Sequence, residues 1–216
     1  AKRRYKEVLG ELPSERVPTG FVDLDEHLSG GLGPGLTVLA GRPGMGKSTL
    51  ACTIARNVAH RQGLPVLIIS AEMTKEQVLD WLTAGQMHYP ASQFWKIKGD
   101  AELVGRYNAA IDWAAQLPIY IDDDASITPA QIEVVARQYK RQHKRLGLMI
   151  IDHINRARTG VPALDRGDRV FERVSHLAQA YKDIAKALKT PVLVIAQLNR
   201  SVEQRSDKRP ALSDLR

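Results

Sequence analysis

Short apolar runs, each of strand length, recur along this chain at 36–40, 66–70, 119–121, 148–151 and 192–196. Bounded by turn-forming residues, such runs read as strands, and those at 36–40 and 66–70 as buried ones. Helical patterns lie between them. One runs from Lys47 to about Arg61. A second starts at Thr74, where Thr74-Lys75-Glu76-Gln77 has the form of a capping box, and runs to about Ala84. A third covers 102–115. A fourth opens at Thr128-Pro129, with proline at its first position and Gln131 completing another capping box, and runs to about Lys144. A fifth spans 170–188. Residues 30–35 are a glycine-rich turn, 88–99 show no clear period, and 156–168 and 198–211 read as loops. At the front, Tyr5, Val8, Leu9 and Leu12 form the apolar stripe of a short helix over residues 1–12, cut off by Pro13 and Pro18. That stripe needs covering, either by its own domain or by another surface. Strand and helix alternate almost throughout, which predicts an α/β fold: βαβ units in a parallel sheet with helices on both faces. No internal repeat is apparent.

Composition narrows the class. The chain has 216 residues, 44% hydrophobic and 25% charged, as in an ordinary globular domain. No apolar run approaches the ~20 residues of a membrane span. The charged start Ala1-Lys2-Arg3-Arg4 is followed by no apolar stretch, so no secretory signal is expected. Cys52 is the single cysteine, which excludes an internal disulfide and fits a cytoplasmic setting. Basic residues number 31 against 24 acidic, a net charge of +7. The excess is either a solvated surface or the footprint of a polyanion, most often nucleic acid.

The strongest chemical signal is Gly41-x-x-x-x-Gly46-Lys47-Ser48, between a strand and a helix. In this pattern Gly41, Arg42, Pro43, Gly44, Met45 and Gly46 let successive backbone N–H groups wrap phosphate oxygens. Lys47 reaches the β- and γ-phosphates, the Ser48 hydroxyl ligates Mg²⁺, and Thr49 continues into the helix. The helix N-terminus adds partial positive charge. Asp152 ends the apolar run 148–151, where a carboxylate is placed to hold the Mg²⁺ shell; its other reading is a cap or loop acid. Glu72 follows the strand at 66–70, at the ligand-facing edge of such a sheet. It either orients an attacking water or merely precedes the Thr74 cap. Gln197 closes the last strand, where an amide either contacts a γ-phosphate or simply ends the strand. Arg137, Lys140, Arg141, Lys144 and Arg145 on one helix read as a solvated face. Asp122-Asp123-Asp124 reads as a loop or cap rather than a metal site. His153 reads as structural, and Cys52 as a small buried apolar residue.

Several segments together resemble the DnaB-type replicative helicases. They are Arg42-Pro43-Gly44-Met45-Gly46-Lys47-Ser48-Thr49, Ser70-Ala71-Glu72-Met73 and Ile150-Ile151-Asp152, with the more specific Gln197-Leu198-Asn199-Arg200-Ser201-Val202-Glu203-Gln204-Arg205. Thr19-Gly20-Phe21-x-Asp23-Leu24-Asp25 and Lys208-Arg209-Pro210-x-Leu212-Ser213-Asp214-Leu215-Arg216 extend the likeness over residues 19–216. The resemblance implies a RecA-like ATPase domain over 17–216, preceded by a linker helix at 1–16 that docks on a neighbouring subunit. It implies a ring hexamer that hydrolyses ATP with Mg²⁺ at subunit interfaces, moves on single-stranded DNA and unwinds a fork, with primase and a helicase loader as partners and no membrane.

By the same resemblance Glu72 is the base for water, Lys47 and Ser48 are the phosphate-loop pair, Asp152 serves the metal, and Gln197 senses the γ-phosphate. Arg216 contacts DNA phosphate, with Arg200, Arg205, Lys208 and Arg209 as further candidates. Arg200 and Arg205 have a second reading as inter-subunit ion pairs. The loop carries no aromatic residue, so backbone rather than base contacts are expected. Two positions depart from the family pattern: His153 stands where tyrosine is usual, and Asn155 where glutamine is common. The family continues beyond the equivalent of Arg216, so the chain reads as a motor fragment, weakly active alone. The competing readings are a RecA-like recombinase, an ATP-dependent assembly module that does not unwind, and a small-molecule kinase or GTPase; no Asn-Lys-x-Asp segment supports the last.

Overall fold

The structure, a computed structural model, describes residues 15–154, 157–166 and 169–198. The expected helix at 1–12 and the basic loop after residue 198 lie outside the described residues. Five strands form one sheet: β1 (Leu36–Gly41), β2 (Val66–Ser70), β3 (Ile119–Asp122), β4 (Leu148–Asp152) and β5 (Val192–Gln197). Their spatial order is β1-β5-β4-β2-β3, and every pairing is parallel.

The helices are α1 (Val22–His27), α2 (Lys47–Gln62), α3 (Lys75–Met87), α4 (Ala101–Ala115), α5 (Pro129–Gln142), α6 (Pro162–Asp165) and α7 (Val170–Leu188). A 3₁₀ turn covers Ala91–Lys96.

The sheet is covered on two sides, and the strand period of two decides which residue goes where. Leu67, Ile69, Met149, Ile151, Val192 and Val194 pack with Ile132 and Ala136 of α5 and Leu177 and Tyr181 of α7. Val66, Ile68, Leu148, Ile150, Leu193 and Ile195 pack with Ala51, Ile54, Ala55 and Val58 of α2 and Val78 and Leu82 of α3. Strands β2 and β4 are buried throughout, which is why each is an apolar run broken only at its last residue, Ser70 or Asp152. Strand β1 departs from the expectation of a buried strand. Among the described residues it pairs only with β5, and Val38 is 43% exposed.

Most boundaries fall within a residue or two of expectation. Both capping boxes form, Thr74 with Gln77 and Thr128 with Gln131. Helix α3 runs on to Met87 and stops where His88 takes a left-handed conformation, φ 50°. Helix α5 stops at Gln142 rather than Lys144, because Lys144 has itself left the helix, φ 64°. The 156–168 stretch is not wholly loop, since it holds the four-residue α6.

The hydrogen bonds reveal a short local repeat that the sequence reading passes over. In Thr19-Gly20-Phe21-Val22-Asp23-Leu24-Asp25, the Thr19 amide and hydroxyl both donate to Asp25 Oδ1 at 2.7 Å, and the Gly20 amide donates to Oδ2 at 3.1 Å. In Thr159-Gly160-Val161-Pro162-Ala163-Leu164-Asp165, Thr159 makes the same two bonds to Asp165 Oδ1, at 2.9 and 2.8 Å, and Gly160 donates to Oδ2 at 3.3 Å. Gly20 and Gly160 sit at φ 84° and 78°, the left-handed region that glycine adopts without strain. Each aspartate thereby closes the turn that enters a short helix. The first turn is also fastened to α2: Asn57 Nδ2 donates to the Thr19 carbonyl at 3.0 Å, and Gln62 Nε2 to the Pro18 carbonyl at 2.7 Å. A Cβ on Gly20 would come within 2.6 Å of Asn57 Nδ2, so glycine is required there twice over.

Candidate active site

The carboxyl ends of the four adjacent strands β1, β5, β4 and β2 bring the sequence-predicted residues to one edge of the sheet. At β1 the chain leaves the sheet at Gly41 and turns through Arg42, Pro43, Gly44, Met45 and Gly46 into α2, which begins at Lys47. Gly44 and Gly46 have φ of 73° and 79°, and a Cβ on either would meet no protein atom within 4 Å. Glycine is needed here for backbone conformation, and the concave side of the turn is left open to an anion. Lys47 Nζ donates to the Arg42 carbonyl at 2.9 Å, so the ammonium folds back over that turn. A cation, a helix N-terminus and backbone amides together suit a polyphosphate.

Ser48 and Asp152 meet across the α2–β4 contact. The Asp152 side chain is hydrogen-bonded by the Ser48 hydroxyl. Asp152 is buried, and its Oδ1 has no hydrogen-bond partner among the described residues. Burial pushes its carboxyl above the usual carboxylate range; the Ser48 bond and the neighbouring His153 and Lys47 only partly oppose this, and the negative charge of Glu72 adds to it. A buried carboxylate oxygen without a partner, beside a hydroxyl, fits a hard divalent cation that takes its remaining ligands from phosphate and water. Among the described residues no group of three or more His, Cys, Asp or Glu side chains forms a metal cluster.

Glu72 lies just past β2 in a turn held by Ser70. The Ser70 hydroxyl donates to the Met73 carbonyl at 2.7 Å and accepts from the Met73 amide at 3.0 Å. The α3 cap is closed by Thr74 and Gln77, which leaves Glu72 outside it. The β2–β4 register pairs Ser70 with Asp152, and the Ala71 amide donates to the Asp152 carbonyl at 2.6 Å. Glu72 is thus carried beside the Asp152 segment. His153 Nε2 lies 3.5 Å from Glu72 Oε2, with side-chain exposures of 6% and 41%. Sequence reasoning gives His153 a structural role and misses this contact. The β2–β4 pairing that creates it is not written in either segment alone.

Gln197 ends β5 directly opposite Gly41, and its side chain is exposed. The Leu198 amide donates to the Gly41 carbonyl at 3.2 Å. Arg200, Arg205, Lys208, Arg209 and Arg216 lie outside the described residues. The acidic trio serves local structure: Asp123 accepts from the Lys75 amide at 3.0 Å and pairs with its ammonium at 3.1 Å, while Asp124 caps Ser126. On α5, Arg137 pairs with Glu133 and Lys140 donates to the Leu188 carbonyl, as on a solvated, self-satisfied face. No helix among the described residues is long and apolar enough to cross a membrane.

Over residues 16–216 the chain matches the family model described as the DnaB-like helicase C terminal domain. It is 35% identical over 201 residues to the replicative DNA helicase DnaB of Nostoc sp., covering 93% of this chain and 22% of that protein. It is 38% identical over 208 residues to the replicative DNA helicase DnaB of Leifsonia xyli subsp. xyli, covering 93% of this chain and 43% of that protein. The chain therefore spans less than half the length of these relatives. Among solved structures, a DnaB-like replicative helicase, described with its interactions with primase, superposes with TM-score 0.87 at 29% identity, over 100% of this chain and 51% of that one. A separately solved ATPase domain superposes with TM-score 0.86, also at 29% identity, over 99% of this chain and 75% of that one. The RadB recombinase shares the fold alone, with TM-score 0.50 at 19% identity, over 85% of this chain and 70% of that one.

Proposed function

The chain belongs to the family of DnaB-like helicase C-terminal domains, and from that premise we propose that it is the ATP-hydrolysing motor segment of a replicative DNA helicase. The observation that carries the reading is the gathering of Lys47, Ser48, Asp152, Glu72 and Gln197 at the ends of four neighbouring strands. Lys47 and the backbone N–H groups of residues 44–48 hold the β- and γ-phosphates of ATP. Ser48 and Asp152 hold Mg²⁺, which when bound neutralises charge on those phosphates. Glu72 orients a water and takes its proton as the water oxygen bonds to the γ-phosphorus and the bond to the β–γ bridging oxygen breaks, releasing ADP. Gln197, across from Gly41, reports the γ-phosphate to the segment that follows it.

The site is completed at a subunit interface of a ring hexamer, where a cationic group from the neighbour stabilises the transferring phosphoryl group. Loss of such a group costs about 10³–10⁵ in rate in other phosphoryl-transfer enzymes, so a subunit separated from its neighbours turns ATP over slowly. Residues 1–16 are the linker that docks on the adjacent subunit. The strand of DNA passes the basic segment 200–216, where Arg200, Arg205, Lys208, Arg209 and Arg216 meet phosphates without reading sequence. Primase and a loader act on the complete protein, in the cytoplasm.

The experiment is unwinding of a forked duplex by the full-length protein beside its Glu72→Gln variant, with ATP and Mg²⁺. Unwinding by the wild type, lost in the variant while ATP binding survives, is the expected result. Ring formation and ATP turnover without unwinding would move the reading to an assembly module or a recombinase-type ATPase.

A further inference from the structure

We infer that His153 is the positioning residue for Glu72: its ring donates from Nε2 to the Glu72 carboxylate and holds that carboxylate in the direction of the attacking water. The inference rests on the proposed role of Glu72 as the base.

Glu72 is a long side chain at the edge of the sheet. Its side chain is 41% exposed, has several rotatable bonds and sits in the turn between β2 and α3. A base must be held by a third group if its attack geometry is to be reproducible. His153 offers that hold. Its side chain is 6% exposed and comes directly after β4, a strand buried along its whole length. The Ala71–Asp152 backbone bond and the Ser70–Asp152 register fix the two segments against each other, and Nε2 lies 3.5 Å from Oε2 across them.

The ring's surroundings also select its tautomer. His153 Nδ1 is buried and has no hydrogen-bond partner among the described residues. A proton on Nδ1 would leave a buried donor unsatisfied and turn the Nε2 lone pair toward a carboxylate. A proton on Nε2 satisfies both ends better, since it donates to Glu72 and leaves only a weak acceptor unpaired. A tyrosine at this position, usual in the resembling family, would present a hydroxyl from a longer, differently shaped ring. The histidine is thus a particular solution of this chain for orienting its glutamate.

Two measurements test this. In the first, the histidine side chains are labelled with ¹⁵N, and His153 is assigned by comparison with a His153→Phe sample. The ring is expected to carry its proton on Nε2, with that proton's resonance slowed in exchange and lost or shifted in Glu72→Ala. An Nδ1-protonated ring, or a resonance indifferent to Glu72→Ala, would overturn the inference. In the second, ATP turnover of the full-length protein is compared for His153→Phe, which keeps the ring volume without a donor, and His153→Gln, which restores an N–H near Nε2. His153→Phe is expected to lower kcat roughly 10- to 100-fold with KM for ATP unchanged, and His153→Gln to recover most of that loss. Equal loss in both variants, or a change confined to KM, would reduce His153 to packing. Glu72→Gln, run alongside, separates the two claims. If it retains wild-type kcat, the role of Glu72 as base fails and this inference with it. If it is inactive while His153→Phe is not, only the positioning role fails.

Discussion

Gly41 and Gln197 face each other as register partners at the ends of β1 and β5. The turn into α2 begins at one, and the chain leaves β5 at the other. The Leu198 amide bonds the Gly41 carbonyl, which makes the link a backbone one.

A Gln197→Ala variant tests what passes through that link. The backbone pairing is untouched by the change, so nucleotide affinity is expected to stay within about threefold of wild type. Stimulation of ATP turnover by single-stranded DNA is expected to fall about tenfold or more, near the cost of one lost charge-assisted hydrogen bond. Equal stimulation in both proteins would assign Gln197 no part in the coupling.

Asp152→Asn removes a buried carboxylate whose Oδ1 has no hydrogen-bond partner among the described residues. Without nucleotide the variant is expected to melt no lower than the wild type, because a neutral amide is cheaper to bury than a carboxylate. Its affinity for ATP in the presence of Mg²⁺ is expected to drop at least about tenfold, as one oxygen ligand of the cation weakens. Calorimetric melting and titration with a fluorescent ATP analogue read the two effects separately.

Asp123 joins the start of α3 to the end of β3. Its carboxyl is held below the usual range, first by the Lys75 amide and then by the Lys75 ammonium. A carboxylate whose folded value is depressed contributes stability that is present above its unfolded value and lost as pH falls through the folded one. Melting temperature is therefore expected to decline below the ordinary carboxylate range, and Asp123→Asn to remove that part of the decline. Parallel acid curves for the two proteins would contradict this.

Cys52 is buried on α2, and burial, reinforced by the nearby Asp152 charge, pushes its thiol up to about 12. A thiol with that value carries almost no thiolate at neutral pH. Alkylating reagents are expected to leave the folded protein unlabelled and to react when denaturant opens it. Labelling of Cys52 then serves as a clock for opening of the layer behind the phosphate turn.

The parts legible in the sequence are those whose signal is local. The strand stretches 66–69, 148–151 and 192–196 are unbroken apolar runs because both faces are covered. The capping boxes at Thr74 and Thr128 are complete within four residues. Helices α1 and α6 escape a reading of the sequence, since six and four residues are too few to show a period. The exposure of β1 depends on having β5 alone as its neighbour among the described residues, which no feature of 36–41 records. The order β1-β5-β4-β2-β3 is likewise a property of the whole chain. From that order comes the meeting of His153 with Glu72, two residues far apart in the sequence that each look ordinary in their own segment.

The turn at Thr19–Asp25 is fastened by Asn57 and Gln62 to the far half of α2, whose first residue is Lys47. At 1.5 Å per residue, the 16 residues of that helix make a strut of about 24 Å. One end of the strut is the phosphate turn, and the other is gripped by residues just after position 16, where the proposed linker joins. On the proposed reading, one rod would join the root of the linker to the turn that holds the phosphates.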